Sequence, residues 1–188
     1  HPQNPQAMVA YVHEPRTCLP SALRVAKGFR PLAHLLRSGF RGGRWAERGQ
    51  GVPRAGPENA HHRYRQRPFN RLTEAEGRTE FERGMESLTA LGIKPCGYRS
   101  PMWAATWNSA ELASSMGLTY DTSLMDDDTP YVIETSTGPL VELPPHWSLD
   151  DWEQYAFLPD PHLGYVSGPA EKALSLWIAE LDGMREFG

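Results

Sequence analysis

Cysteine is nearly missing from this chain: Cys18 and Cys96 are the only two in 188 residues, and they lie far apart. Such a pair supplies neither a disulfide framework nor a cysteine-based zinc site, so two free thiols is the favoured reading, with a single bridge left open. Long apolar runs are missing too. None reaches the roughly 18 residues a spanning helix needs, and no basic-then-apolar leader opens the chain. The expectation is a cytoplasmic protein with no membrane segment. Its length suits one domain with its own core, and 39% hydrophobic with 22% charged residues is ordinary for a globular chain, although 17 Pro and 17 Gly lean towards loops.

A formal net charge of -4 conceals an asymmetry. Residues 1–67 carry eleven Arg and one Lys against three Glu, a net +9, whereas residues 68–188 sum to -13. The first part has little apolar periodicity. One weak helical stretch runs from Ser21 to Leu36, with Leu23, Val25, Leu32 and Leu36 on a common face. The remainder is Arg, Gly, Ala and Pro, too little apolar surface to offset the entropy of ordering. Residues 1–60 are therefore expected to be irregular and to add no paired strand. They also read as an out-of-frame translation of a GC-rich gene, because such codons yield these residues in any frame. Binding of nucleic acid is disfavoured, since only Phe40 and Trp45 interleave the basic residues and no recognisable module is present.

From residue 68 the local signals agree with one another. Thr73 and Glu76 form a capping box, Phe81, Met85 and Leu88 recur at helical spacing, and Gly92 stops a helix of about Glu74 to Leu91. Ile93 to Ser100 reads as a strand, Asn108 with Glu111 as the cap of a second helix ending at Gly117, and Leu118 to Ser123 and Leu140 to Leu143 as buried strands. Leu140 to Leu143 is apolar except for Glu142. Pro169 opens a last helix with Ala170, Leu174, Trp177, Ile178 and Leu181 on its apolar face. Strands alternating with helices predict an α/β domain with a parallel sheet or barrel.

In such folds chemistry collects in loops at the carboxyl ends of strands. GYRSPMW at 97–103, YDTSLMDDDTPY at 120–131 and ELPPHWSLDDW at 142–152 qualify. Each joins Asp or Arg to Trp or Tyr, which suits a cleft for a polar, ring-shaped ligand. Arg99 can grip a carboxylate or be an exposed arginine beside a turn proline. Asp126, Asp127 and Asp128 can hold a hard cation or form a solvated loop. Trp103, Trp147 and Trp152 suit either the core or sugar stacking. His61 and His62, just before the first confident helix, read as surface histidines or as metal ligands.

Taken in order, these strings resemble the NodB-homology polysaccharide deacetylases, in the branch with peptidoglycan-deacetylase-like and cyclic-imidase-like members. GYRSPMW resembles the family's third motif, YDTSLMDDDTPY its YDSSLMGDDYPY-like loop, and LVELPPHWSLDDW its ELPVSWxLDDW-like segment. The resemblance covers about residues 61–188 and implies part of a distorted parallel (β/α) barrel, with the first and last strands missing or unrecognisable. It implies a divalent metal, usually zinc, and an amidohydrolase acting on an N-acetylated sugar, a peptidoglycan fragment or a small cyclic amide. Arg99 takes the place of the arginine that orients the catalytic aspartate, and Trp103, Tyr131, Trp147, Asp150 and Asp151 would line the substrate side. HHRYRQR aligns His62 with the first metal-ligating histidine, but Gln66 stands where the second belongs. Arg63 and Arg67 replace a glycine and an acid. The acidic first motif has no counterpart in residues 1–60, and the histidine of the last motif is not found. A non-catalytic carbohydrate-binding paralogue that keeps the cleft is the alternative, with homo-oligomerisation left open.

Overall fold

A computed structural model describes residues 34–37, 39, 58–65, 67, 69–150, 154–155, 158–159, 162–163 and 169–187. In chain order these contain β1 (His34–Arg37), β2 (Glu58–His61), α1 (Glu74–Ala90), β3 (Gly97–Tyr98), α2 (Trp107–Ser115), β4 (Tyr120–Asp121), β5 (Tyr131–Thr135), β6 (Gly138–Glu142), β7 (Leu158–Pro159), β8 (His162–Leu163) and α3 (Ala170–Phe187).

Helix α1 begins where its cap says it should. The Glu76 N–H donates to Thr73 Oγ1 at 3.3 Å, and the Thr73 N–H donates to Glu76 Oε2 at 2.9 Å. Two of the orphan amides at the helix start are thereby satisfied. Gly77, Phe81, Gly84 and Leu88 form its buried face, and Gly92 at φ 73° carries the chain out through the left-handed conformation that glycine allows. Helix α2 departs from expectation. Its cap is Thr106, whose N–H donates to Ser109 Oγ at 3.1 Å, so the helix starts at Trp107, ahead of Asn108. Glu111 does not cap it; the carboxylate accepts instead from the Ser136 N–H at 3.0 Å and the Ser136 hydroxyl at 2.6 Å, fastening the β5–β6 turn.

The main sheet has the order β1-β2-β3-β4-β6-β5, parallel throughout except for β5, which is antiparallel to β6 at the edge. The fold is therefore α/β with a parallel sheet of the (β/α)-barrel type, left open among the described residues. Phe81 of α1, Ala110, Leu112 and Ala113 of α2, and Tyr98, Leu118, Ile133 and Leu140 make one buried cluster on one face. No helix among the described residues is long and apolar enough to cross a membrane.

Three expectations are corrected here. Residues 1–60 do contribute paired strands: β1 and β2 run parallel with His34 opposite Glu58 and Arg37 opposite His61. The sequences HLLR and ENAH carry no period-2 signal, and backbone pairing against β3 with full burial of Ala60 and His61 selects the strand instead. The helix expected from Ser21 to Leu36 fails at its end, because 34–36 belong to β1; residues 21–33 lie outside the described residues. Finally, the apolar stripe of α3 stays at the surface, with Leu174, Ile178 and Leu181 exposed and only Ala173 buried among its described side chains.

Candidate functional site

The register of the sheet draws a row of polar side chains across its carboxyl end. His61 pairs with Tyr98, Tyr98 with Asp121, and Asp121 with Glu142. All four are at most 1% exposed. Pairing continues one bond beyond the strands, with the N–H groups of Arg99, Thr122 and Leu143 donating to the carbonyls of His61, Tyr98 and Asp121. By the alternation of a strand, Arg99 and Thr122 leave the sheet on the opposite face to that row.

On the first face the groups are packed and buried. The His61 ring stacks on Phe81 at 4.5 Å, and Gly84 leaves it room. Burial pulls its pKa down to about 3, helped by the charge of His62. Arg63 is fully buried; its Nε donates to the Tyr98 hydroxyl at 3.0 Å and its Nη1 to the Arg67 carbonyl at 2.8 Å. Its backbone lies at φ 58°, the conformation for which glycine is suited. Ser123 binds the two carboxylates together: its hydroxyl donates to Asp121 Oδ1 at 2.5 Å and its N–H to Glu142 Oε1 at 2.9 Å. Burial pushes Glu142 up to about 8, with the adjacent Asp121 adding to the rise, and lifts Asp121 to about 6 against the hydrogen bonds of Ser123 and Thr122. Glu142 Oε2 is buried with no hydrogen-bond partner.

On the second face Arg99 is held by Thr122, donating from Nε to its carbonyl at 3.1 Å and from Nη2 to its hydroxyl at 3.0 Å. Burial lowers the arginine's pKa, and the charges of Asp150 and Asp121 act against that fall. The guanidinium carbon stands 5.8 Å from the centre of the Trp103 ring, and Trp103 meets Trp147 edge to face at 5.0 Å. Trp147 opens a short 3-10 turn, Trp147–Leu149, which Trp177 of α3 secures by donating to the Ser148 carbonyl at 3.0 Å. His62 lies against the same strand end, with Nδ1 at 2.9 Å from the Arg99 carbonyl oxygen.

Of the residues expected to form the site, the structure thus gathers Arg99, Trp103 and Trp147, with His62 and Asp150 beside them. Tyr131 sits apart, packed on the core with its hydroxyl donating to Asp126 at 2.7 Å. Asp151, Trp152 and Gln66 lie outside the described residues. The acidic loop is already engaged: Asp126 holds Tyr131, and Asp127 accepts from the Thr129 N–H at 2.9 Å. With Met125, Asp128, Pro145 and His146 these residues line an open pocket of about 440 Å³. Sequence reasoning missed Asp121, Ser123 and Glu142 as a unit. The signal for Glu142 was its being the one charge in an otherwise apolar strand.

A catalytic cation of the expected kind takes three protein ligands. Among the described residues no three His, Cys, Asp or Glu side chains come together in a group that could hold a metal ion. The described donor set does not fit the metal.

No family profile matches the chain, and no curated protein matches it. Solved structures do. A protein solved as a polysaccharide deacetylase of Mycobacterium smegmatis is 37% identical with TM-score 0.87, over 95% of this chain and 63% of its own. An allantoinase is 21% identical with TM-score 0.78, over 96% of this chain and 58% of its own. A CE4 family pseudoenzyme from Bacillus anthracis is 16% identical with TM-score 0.52, over 90% of this chain and 56% of its own. The last two similarities speak for the fold alone. The chain spans less than two thirds of the length of each.

Proposed function

We propose that the chain is a member of the NodB-homology polysaccharide deacetylase family and a hydrolase of carbon–nitrogen bonds other than peptide bonds, acting on N-acetylated sugars, peptidoglycan fragments or small cyclic amides; the 37% identity to the Mycobacterium smegmatis protein over 95% of this chain supports the family. The observation that carries this reading is the mounting of Arg99: two hydrogen bonds to Thr122 fix the guanidinium at the carboxyl end of the sheet beside the Trp103–Trp147 pair. A guanidinium held in this way presents its charge in one direction and is suited to orient a carboxylate. Edge-to-face indoles give a sugar ring or acyl group an apolar wall. These residues would bind and orient a ligand; the resemblance matches His62 to the family's first metal-ligating histidine, with Gln66 in the place of the second.

A second reading, a carbohydrate-binding paralogue without catalysis, is favoured by Gln66 standing in the sequence where the family's second metal-ligating histidine belongs. One experiment separates the two. The purified chain is incubated with N-acetylglucosamine oligomers, peptidoglycan fragments and cyclic imides, with and without added zinc, and amide hydrolysis is followed. Zinc-dependent turnover, lowered at least about tenfold in Arg99→Ala with the fold intact, supports the hydrolase. Binding of the glycans without turnover selects the second reading, and neither turnover nor binding overturns both.

A further inference from the structure

The parallel ladder between β3 and β4 stops short, and side chains take over its next rungs. The Thr122 N–H donates to the Tyr98 carbonyl at 3.0 Å. In regular parallel pairing the following bonds would run from the Ser100 N–H to the Thr122 carbonyl and from the Leu124 N–H to the Ser100 carbonyl. Instead the Ser100 N–H donates to Ser123 Oγ at 2.8 Å, and the Leu124 N–H to Glu142 Oε1 at 2.9 Å. The Ser100 carbonyl accepts from the Trp103 N–H at 3.0 Å, and the Thr122 carbonyl accepts from Arg99 Nε at 3.1 Å. Ser123 is mounted for this exchange. Its hydroxyl hydrogen is committed to Asp121 Oδ1 at 2.5 Å, which leaves the oxygen to accept, and its own N–H is fixed on Glu142 Oε1 at 2.9 Å. Ser100 and Ser123 are at most 2% exposed, so water does not compete for either.

We propose that Ser123 is a positioning residue for Arg99: by accepting from the Ser100 N–H, it leaves the Thr122 carbonyl to hold the guanidinium. The inference rests on the reading of Arg99 given above and names the group that aims it. A buried N–H must find an acceptor. Without the Ser123 hydroxyl, the Ser100 N–H turns to its ladder partner, the Thr122 carbonyl, and displaces Arg99 Nε there. Arg99 then keeps only the Thr122 hydroxyl, a partner on a rotatable side chain. A guanidinium held at that one point no longer presents its remaining donors to a carboxylate in a fixed direction.

The test reads the hydrogen bonds themselves, through the magnetic coupling that passes from a donor nitrogen to the carbonyl carbon of its acceptor. In the isotope-labelled, unaltered chain Arg99 Nε should couple to the Thr122 carbonyl, and the Ser100 amide should not. In Ser123→Ala the coupling should pass to the Ser100 amide, and exchange of the Arg99 Nε proton with water should quicken at least about tenfold, the scale of a lost hydrogen bond from a charged group. Turnover of the amide substrates, or glycan affinity should the chain bind without turnover, should fall about three- to tenfold in Ser123→Ala. Adding Ser123→Ala to Arg99→Ala should bring no further loss, because both act through one group. Should Ser123→Ala not fold, Ser123→Cys, whose thiol is a weak acceptor, takes its place. A Ser100 coupling to the Thr122 carbonyl in the unaltered chain, an Arg99 coupling that survives the substitution, or additive losses in the double variant each overturn the inference while the cleft reading stands. An unaltered chain with neither turnover nor glycan binding overturns the cleft reading, and the couplings then decide alone whether Ser123 aims Arg99.

Discussion

At the scale of single residues, α1 meets the end of β2 with no room to spare. A Cβ added at Gly84 would lie 2.3 Å from His61 Nε2 and 2.8 Å from backbone atoms of Arg63 and Tyr64. Backbone cannot yield as a flexible side chain can, so Gly84→Ala should cost about 1–3 kcal/mol, more than alanine's helix propensity returns. Gly183 in α3 is the control, since a Cβ there meets nothing within 4 Å. Gly183→Ala should stabilise by about 0.5–1 kcal/mol. Urea midpoints at equal m-value measure both, and a neutral Gly84→Ala would contradict the packing described. The same contact accounts for what sequence spacing left open at His61 and His62. Pairs of adjacent histidines say nothing about direction, and only the helix that covers His61 makes it a buried, neutral ring while His62 goes to Arg99.

At the scale of elements, legibility followed the range of the forces involved. Helix α1 was readable because its signals are local: the capping box and the Gly92 exit are written within a few residues of where they act. Replacing Thr73 by Ala removes one half of that box and should cost about 0.5–2 kcal/mol, read as a fall in melting temperature that a Thr73→Ser change does not produce. The strands were harder. Strands β3 and β4 have two residues each, and β1 and β2 contain His, Arg, Glu and Asn where apolar alternation would be sought. Strand β5, Tyr131–Thr135, has only its first residue in the 120–131 string, and the β-branched Val132 and Ile133 beyond it were given no reading. Non-local pairing decides such segments. The family was legible all the same, because three long strings in the right order carry more information than any one periodicity. The candidate site was legible only in part: aromatic and basic strand-end residues stand out in the sequence, whereas the Asp121–Ser123–Glu142 unit depends on a register between strands that no short window contains.

At the scale of the whole molecule, the buried titratable row makes stability depend on pH in a direction opposite to the usual acid sensitivity. Asp121 is raised from 3.8 to about 6 and Glu142 from 4.5 to about 8, so the folded chain holds protons that the unfolded chain has released. Stability is then lost as pH rises through those intervals. His61 works the other way, since its pKa falls from 6.5 to about 3 and the unfolded chain takes the proton first as pH drops. Between about pH 3.8 and 6.5 the carboxyls and the imidazole oppose one another. Above 6.5 the imidazole is neutral in both states, and Glu142 is left acting alone up to about 8. Glu142→Gln isolates that contribution. A glutamine carbonyl can still accept from the Ser123 and Leu124 N–H groups, and the side chain no longer ionises. The stability of the variant relative to the unaltered chain should therefore rise from about pH 4.5, keep rising through neutrality, and level off near pH 8. Denaturant unfolding of both proteins at a series of pH values gives the difference curve. A flat difference, or one that falls with pH, would mean that the Glu142 carboxylate is ionised in the folded protein and finds compensation that the buried Ser123–Asp121 neighbourhood does not supply.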